Sequence, residues 1–155
     1  MSKGIPWIVC FILASLVLSI PRSAQATLGE PAASVESDRK ALSAQPRTST
    51  ARGSYTVQEV VSDANTVREY VSSSGVVFAV AWNGLTHPDL TPLLGSYVGD
   101  YRQALQKTKR TPGHRSLAVK GDRVVVEKWG HMRNLQGRAY VPALIPSGVS
   151  VDEIK

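Results

Sequence analysis

The sequence contains one cysteine, Cys10, and it lies inside an uncharged N-terminal run. The chain beyond that run has no thiol, which excludes disulfide bridges, thiolate metal sites and a cysteine nucleophile from it. Packing of a hydrophobic core must therefore stabilise the fold without covalent cross-links.

Long apolar runs are scarce too, because the chain has only one, the fourteen uncharged residues 7–20. Lys3 precedes this run and Ala24-Gln25-Ala26 follows it, which is the pattern of a secretory signal peptide. A run of fourteen residues is also short for a membrane span. We predict that residues 1–26 are a signal peptide cleaved after Ala26 and that the protein is periplasmic or secreted. An uncleaved N-terminal anchor is the alternative.

Acidic residues are few in one part of the chain. Between Arg102 and Arg138, ten basic residues accompany only Asp122 and Glu127. Such an excess is typical of a solvated surface, and it also suits contact with an anionic envelope component such as phospholipid headgroups or a cell-wall polymer. We do not expect nucleic acid as a partner, because the protein is predicted to be exported and few aromatic residues accompany the charge.

Residues 76–82 are apolar on both alternating faces, with Phe78 and Trp82 on the same one, which predicts a central strand. Two earlier runs, 55–61 and 67–71, alternate apolar and polar residues and are separated by turn sequences, so they predict an antiparallel meander that ends in this strand. Residues 117–119 and 124–129 predict a hairpin. Residues 134–137 predict a turn, and residues 138–141 predict a short strand that Pro142 marks as an edge.

One main helix is predicted over about residues 90–106 because five apolar residues fall on one stripe and Asp89 suits the N-cap. Gly95 and Gly99 lie beside the stripe, and we expect them to allow close approach to the strands. A weaker helix is predicted near Pro31, in residues 27–45, and residues 45–53 predict a linker.

These elements predict the α+β class, with an antiparallel sheet of about five or six strands, one main helix packed on it and a weaker N-terminal helix. The predicted organisation is a signal peptide at 1–26, an N-terminal helix and linker at 27–53, and a single α+β domain at 54–155. The predicted C-terminal tail contains Leu144, Ile145 and Val149, which we expect to pack on the core.

Six segments of the chain together form a recognisable pattern, namely residues 68–71, 75–82, 88–90, 93–97, 130–133 and 137–142. They resemble a family of exported bacterial proteins catalogued as domain of unknown function 2844. The resemblance extends from Leu28 to about Ile154 and implies a bacterial envelope protein with a signal peptide and one domain. It implies no activity and no catalytic residue, since the family has none assigned. The basic loop at 107–115 looks like a variable insert.

Motifs of known chemistry are missing. The chain has no Gly-x-Ser-x-Gly elbow and no phosphate-binding glycine loop. Glu59 and Glu69 fit solvated cross-strand positions better than a pair of catalytic carboxylates. We therefore predict no catalytic residue, no metal site and no cofactor.

The candidate binding residues are His131, Met132, Arg133, Arg138 and Tyr140. In this hypothesis the two arginines bind a carboxylate or phosphate through their planar forks. Two structural alternatives stay open. The histidine belongs to an ordinary β-bulge in one, and the arginines pair inside the fold with Glu59, Glu69 or Asp100 in the other.

Two classes of function follow from these candidates. The first is a non-catalytic envelope module with a binding or structural role, whose partner is an unidentified envelope component. The second is a hydrolase or metal-assisted enzyme in which His131 acts with His87 or Asp89. The missing nucleophile and ligand motifs favour the first class.

Cleavage of the signal peptide gives a direct test. If residues 1–26 are removed, protein recovered from the envelope fraction should begin at Thr27. Intact-mass measurement checks this, and a mass that retains the first 26 residues would contradict the prediction.

Overall fold

The computed structural model describes residues 28–31, 45–109 and 113–155. Its strands are β1 (Gln45–Arg52), β2 (Tyr55–Val61), β3 (Asn65–Ser72), β4 (Val77–Gly84), β5 (Leu117–Lys120), β6 (Val125–His131) and β7 (Asn134–Tyr140). They form one antiparallel sheet in the order β1-β2-β3-β4-β7-β6-β5. The predicted signal peptide and most of the predicted N-terminal helix lie outside the described residues.

The α+β class is confirmed, but the sheet has seven strands rather than five or six. The additional strand is β1, which forms where the polar sequence had predicted a linker and pairs with β2. Side chains from Thr48 to Arg52 are exposed. A strand at the edge of a sheet forms through the hydrogen bonds of one neighbour, so it needs no apolar pattern of its own.

The strand β4 is central, as predicted, and its side chains are buried from Val77 to Trp82. Phe78 and Trp82, however, do not share a face. The pairing with β3 skips Phe78 between Tyr70 and Val71, which is a β-bulge. A bulge adds one residue to a strand and so reverses the alternation of side chains beyond it. The prediction of a shared face is therefore wrong.

The sheet has an apolar cluster on each of its two faces. We call one the helical face, because Val80 and Trp82 pack there with Leu93 and Leu94. We call the other the C-terminal face, where a second cluster contains Tyr55, Tyr70, Phe78 and Ile154. Both clusters depend on β4, which explains why this strand is apolar throughout.

The main helix is present but broken into α1 (Leu90–Leu94), a 3₁₀ turn (Gly95–Tyr97) and α2 (Val98–Lys107). The Asp89 carboxylate accepts a hydrogen bond from the N–H of Thr91 at 2.9 Å, so the predicted N-cap is confirmed. Gly95 has φ +47°, which favours glycine and ends α1. A side chain at Gly99 would meet nothing within 4 Å, so close packing does not explain that glycine.

Asp100 ties α2 to the hairpin formed by β5 and β6. Its carboxylate accepts hydrogen bonds from the backbone N–H groups of Arg123 (2.9 Å), Val124 (3.2 Å) and Asp122 (3.4 Å). These bonds, that from Arg123 first, lower the pKa of the Asp100 carboxyl below its usual value. Gly121 leaves room for the carboxylate, because a Cβ there would lie 2.6 Å from Oδ2 of Asp100.

The last strand differs from its prediction in place and in register. β7 lies between β4 and β6, so it is not an edge, and Pro142 follows the strand in a 3₁₀ turn. Residues 134–137, predicted as a turn, belong to β7, and the chain reverses at Met132 and Arg133 instead. Gly137 is required within the strand because a Cβ there would collide with the Trp82 ring.

The ends of the described chain complete the two clusters. Leu144, Ile145 and Val149 pack against the C-terminal face, as predicted, and Ile154 is fully buried there. Leu28 is fully buried on the helical face. Its neighbours form a turn and Pro31 bridges to Val76, so residues 28–31 do not begin the predicted weaker helix.

Truncation of Phe78 tests the cluster on the C-terminal face. Phe78→Ala should lower the free energy of unfolding by about 3–5 kcal/mol, because it leaves a cavity among Tyr55, Tyr70 and Ile154. Leu85→Ala, at an exposed position, should change it by no more than about 0.5 kcal/mol. Chemical denaturation measures both, and a loss below about 1 kcal/mol for Phe78→Ala would contradict the packing.

The Asp100 carboxylate should make stability depend on pH. Asp100→Asn weakens three backbone contacts and should cost about 1–2 kcal/mol at pH 7. Because folding lowers this pKa, the contribution is complete above the unfolded value of about 4 and is lost as the pH falls through the folded value. The difference between wild type and variant should therefore shrink as the pH falls below about 4 and vanish below the folded pKa in denaturation experiments.

The matched control is Asp122→Asn. The Asp122 side chain is exposed and its carboxylate makes no hydrogen bond among the described residues. Its loss should change the free energy of unfolding at pH 7 by no more than about 0.5 kcal/mol. An Asp100→Asn variant that follows the wild-type curve at every pH would contradict the anchoring role.

Candidate functional site

The tip of the β6–β7 hairpin carries three of the five candidate binding residues. His131 and Asn134 are the last pair of the ladder, so Met132 and Arg133 form the turn. Arg133 has φ +66°, a left-handed conformation that is uncommon for a residue other than glycine. His131, Met132 and Arg133 are all exposed, and the Met132 side chain retains 90% of its accessible surface.

Arg138 is separate from this tip and lies on the C-terminal face. Its Nε donates to Oε2 of Glu127 at 2.6 Å, and its Nη1 donates to the carbonyl of Val151 at 2.6 Å. The guanidinium also lies 5.8 Å from the ring centre of Trp129 and 6.0 Å from that of Tyr140. The structure therefore gives Arg138 a role in attaching the C-terminal segment.

Of the two candidate arginines, Arg138 forms an ion pair, but with a carboxylate other than those predicted. Glu127, and not Glu59, Glu69 or Asp100, pairs with Arg138. Glu59 pairs with Arg68 across β2 and β3 at 2.9 Å. Glu69 is only 2% exposed, so it is not the solvated residue that was predicted. It lies between Val67 and Val71, which belong to the cluster on the helical face.

Tyr140 is half-buried beside Arg138 on the same face. Burial raises the pKa of its phenol, and the nearby Glu127 carboxylate adds to the effect. Tyr140 and Arg138 therefore form a pair of their own, and the structure does not bring them together with His131, Met132 and Arg133.

His87 follows the end of β4 and is fixed by the core. Its Nδ1 accepts a hydrogen bond from the indole Nε1 of Trp82 at 3.0 Å, and the two rings meet edge to face. Burial, followed by the nearby Lys128 charge, lowers the pKa of the His87 imidazole. Because Nδ1 is the acceptor, the neutral ring carries its proton on Nε2.

A groove of about 990 Å³ brings His87 and His131 to one surface. It lies where β4 and β6 end and where β5 and β7 begin. The lining residues are His87, Lys109, His114, Arg115, Ser116, Leu117, Lys128, Trp129, Gly130, His131, Met132 and Leu135. We call this the basic groove, because it contains three cationic side chains and three imidazoles and no described carboxylate.

Each cation of the basic groove comes from a different element. Lys109 follows α2, Arg115 precedes β5, and Lys128 belongs to β6. The ammonium group of Lys128 lies 5.7 Å from the ring centre of Tyr101, which holds it against the helix. Antiparallel pairing of β5 with β6 brings Leu117 opposite Lys128, so the loop before β5 reaches the groove.

The alternative enzymatic set is only partly assembled. Asp89 caps α1 and does not line the basic groove, so it does not join His87 and His131. Within residues 28–31, 45–109 and 113–155, no group of three or more histidine, cysteine or acidic residues could hold a metal ion. Nor is any groove histidine hydrogen-bonded to a hydroxyl or carboxylate among those residues.

Four residues that line the basic groove were not among the predicted binding residues: Lys109, His114, Arg115 and Lys128. The signal that pointed to them was the excess of basic residues between Arg102 and Arg138. It could not show which of those residues share a surface, because the charges come from separate elements.

Together, the fold and the groove define a small α+β domain with a cationic cleft. The chain belongs to the family described as Protein of unknown function (DUF2844), whose model matches residues 24–154. The predicted family is thereby confirmed. No curated protein and no solved structure is significantly similar to the chain. Among the described residues, no helix has the length and apolar character needed to cross a bilayer.

The contacts of Arg138 predict a structural phenotype. Arg138→Gln removes the ion pair with Glu127 and should lower the free energy of unfolding by about 1–3 kcal/mol. Hydrogen exchange should accelerate in residues 141–155, because the bond to the Val151 carbonyl is also lost. Arg133→Gln, at the exposed tip, should change neither quantity. Equal behaviour of the two variants would contradict the attaching role of Arg138.

Proposed function

We propose that this chain is an exported, non-catalytic module of the bacterial envelope that binds an anionic ligand in the basic groove. The observation that carries the proposal is the composition of the lining, which has three cations and three imidazoles and no described carboxylate. A concave surface with one sign of charge raises the local concentration of ligands of the opposite sign.

The distribution of ion pairs supports this role. The described ion pairs of arginines, Arg68 with Glu59 and Arg138 with Glu127, both lie on the C-terminal face. In contrast, Lys109, Arg115 and Lys128 have no acidic partner among the described residues. Like charges gathered in this way repel one another, and a bound anion would remove that repulsion.

The size of the groove indicates the kind of ligand. A volume of about 990 Å³ is far larger than one phosphate group needs and lies at the upper end of small-molecule sites. Arg115 offers a planar fork that suits a carboxylate or phosphate, whereas the two lysines supply point charges. Leu117, Trp129 and Leu135 give the wall an apolar part. A multiply charged group carried on a larger molecule fits these properties.

A binding role accounts for the groove histidines better than a catalytic one. A nucleophile needs a base within hydrogen-bond reach, and no described histidine of the groove makes that contact with a hydroxyl group. The Nδ1 atom of His87 is already occupied by the Trp82 indole. Its remaining ring N–H can donate to an anion, as can the imidazoles of His114 and His131.

The export part of the proposal rests on the signal pattern of residues 1–26. Support comes from the position of Leu28, two residues after the predicted cleavage site. Leu28 is fully buried, and its N–H donates to the Leu93 carbonyl at 3.1 Å. Leu28 therefore belongs to the core of the domain, and cleavage after Ala26 would keep it in the mature chain.

Titration with tripolyphosphate tests the binding site. The double variant Arg115→Gln/Lys128→Gln removes two groove cations and should weaken binding at least tenfold, which corresponds to about 1.4 kcal/mol. Calorimetry at about 0.15 M salt measures the affinity, and the wild-type affinity should fall as salt increases further.

The matched control is Arg102→Gln/Lys120→Gln. It removes the same charges from exposed positions that do not line the basic groove. This control should bind tripolyphosphate within about twofold of wild type, since surface charges beyond a Debye length are screened. Equal weakening in both double variants would mean that net charge alone attracts the anion and would contradict a site in the groove.

A further inference from the structure

Two large apolar side chains are exposed within the described part of the chain, Leu85 at 54% and Met132 at 90%. They lie at the same end of the sheet. Gly84 and Gly130 both pair with Leu135, one from each side of β7. Leu85 directly follows Gly84, and Met132 lies in the turn just beyond Gly130. Single exposed apolar residues are common, but this sheet places both at one end.

The same end carries the three cations of the basic groove, which have no acidic partner among the described residues. Met132 lines the basic groove together with Arg115 and Lys128, and His131 and Arg133 flank it in the chain. Apolar side chains surrounded by basic ones match a membrane interface, where apolar groups enter the acyl boundary and cations contact headgroup phosphates. A soluble anion would use the cations but would leave Leu85 and Met132 exposed to water.

Backbone hydrogen bonds hold both apolar residues in place. The N–H of Leu85 donates to the Ala64 carbonyl at 2.8 Å, which ties it to the turn between β2 and β3. Met132 is presented by a hairpin whose ladder is continuous from the pair of Val125 with Tyr140 to the pair of His131 with Asn134. Docking of a preformed surface costs little conformational entropy.

Acidic residues near this end of the sheet limit the side from which an anionic membrane could approach. Asp89 is exposed but its carboxylate accepts the capping hydrogen bond from Thr91. Asp63 is exposed in the turn between β2 and β3, and β4 lies between β3 and the Met132 hairpin of β6 and β7. Anionic lipid would therefore approach on the side of β6 and β7.

We infer that the groove end of the sheet docks on an anionic phospholipid membrane, with headgroup phosphates in the basic groove and with Leu85 and Met132 inserted beside them. This inference rests on the proposed function, because it names the source of the anion. The occupant is the membrane surface itself, and a soluble polyphosphate is the alternative that the experiment separates.

Co-sedimentation of the mature protein, purified from the envelope fraction, with vesicles tests the inference. Wild type should partition at least tenfold more strongly onto vesicles containing phosphatidylglycerol than onto pure phosphatidylcholine. Met132→Ser should reduce partition onto the anionic vesicles about tenfold, and Leu85→Ser should reduce it about threefold. Leu85 does not line the basic groove, so Leu85→Ser should leave tripolyphosphate affinity unchanged.

The controls distinguish failure of the inference from failure of the proposed function. Arg115→Gln/Lys128→Gln should reduce vesicle partition more than Arg102→Gln/Lys120→Gln does. If the two apolar variants partition like wild type, or if neutral vesicles bind equally well, membrane docking is overturned while tripolyphosphate binding can still support the groove. If tripolyphosphate does not bind either, the proposed function falls as well.

Discussion

The Trp82 indole is the contact on which both the core and the groove depend. The ring is buried on the helical face and lies against Gly137 of β7, where no side chain would fit. A buried indole N–H needs an acceptor, and Nδ1 of His87 supplies it at 3.0 Å. The packing of the central strands thus determines where one wall residue of the basic groove lies. A change at Gly137 would act on the groove through Trp82 and His87.

The cations on the C-terminal face and those of the basic groove differ in whether they have acidic partners. On the C-terminal face, Arg68 and Arg138 are paired with carboxylates and also donate to backbone carbonyls of the terminal segment. Their charges are used to hold the fold together. The groove cations have no such described partners, so their charge is available to a ligand. Net charge alone, at +6 for the whole chain, would not reveal this separation.

Predictions from the sequence were correct for features that depend on neighbouring residues in the chain. They were wrong for features that depend on pairing between strands distant in the sequence. The central strand, the Asp89 cap and the β5–β6 hairpin follow from residues close together in the chain. The strand β1 was not predicted because it has no apolar pattern and is held in the sheet by its pairing with β2. The face predicted for Phe78 was wrong because the β-bulge arises in the pairing of β4 with β3. Of the candidate site, His131 and Met132 do line the groove, but its cations meet only through the fold.

The terminal segment has a consequence for the order in which the domain is completed. Tyr70 donates to the carbonyl of Lys155, 85 positions along the chain, and Ile154 fills the cluster around Phe78. A chain that emerges from a ribosome or a translocation channel with its N-terminus first therefore lacks part of this core until residues 141–155 are free. Contacts of such long sequence separation also slow folding. The sheet can begin to form early, but the C-terminal face is sealed last.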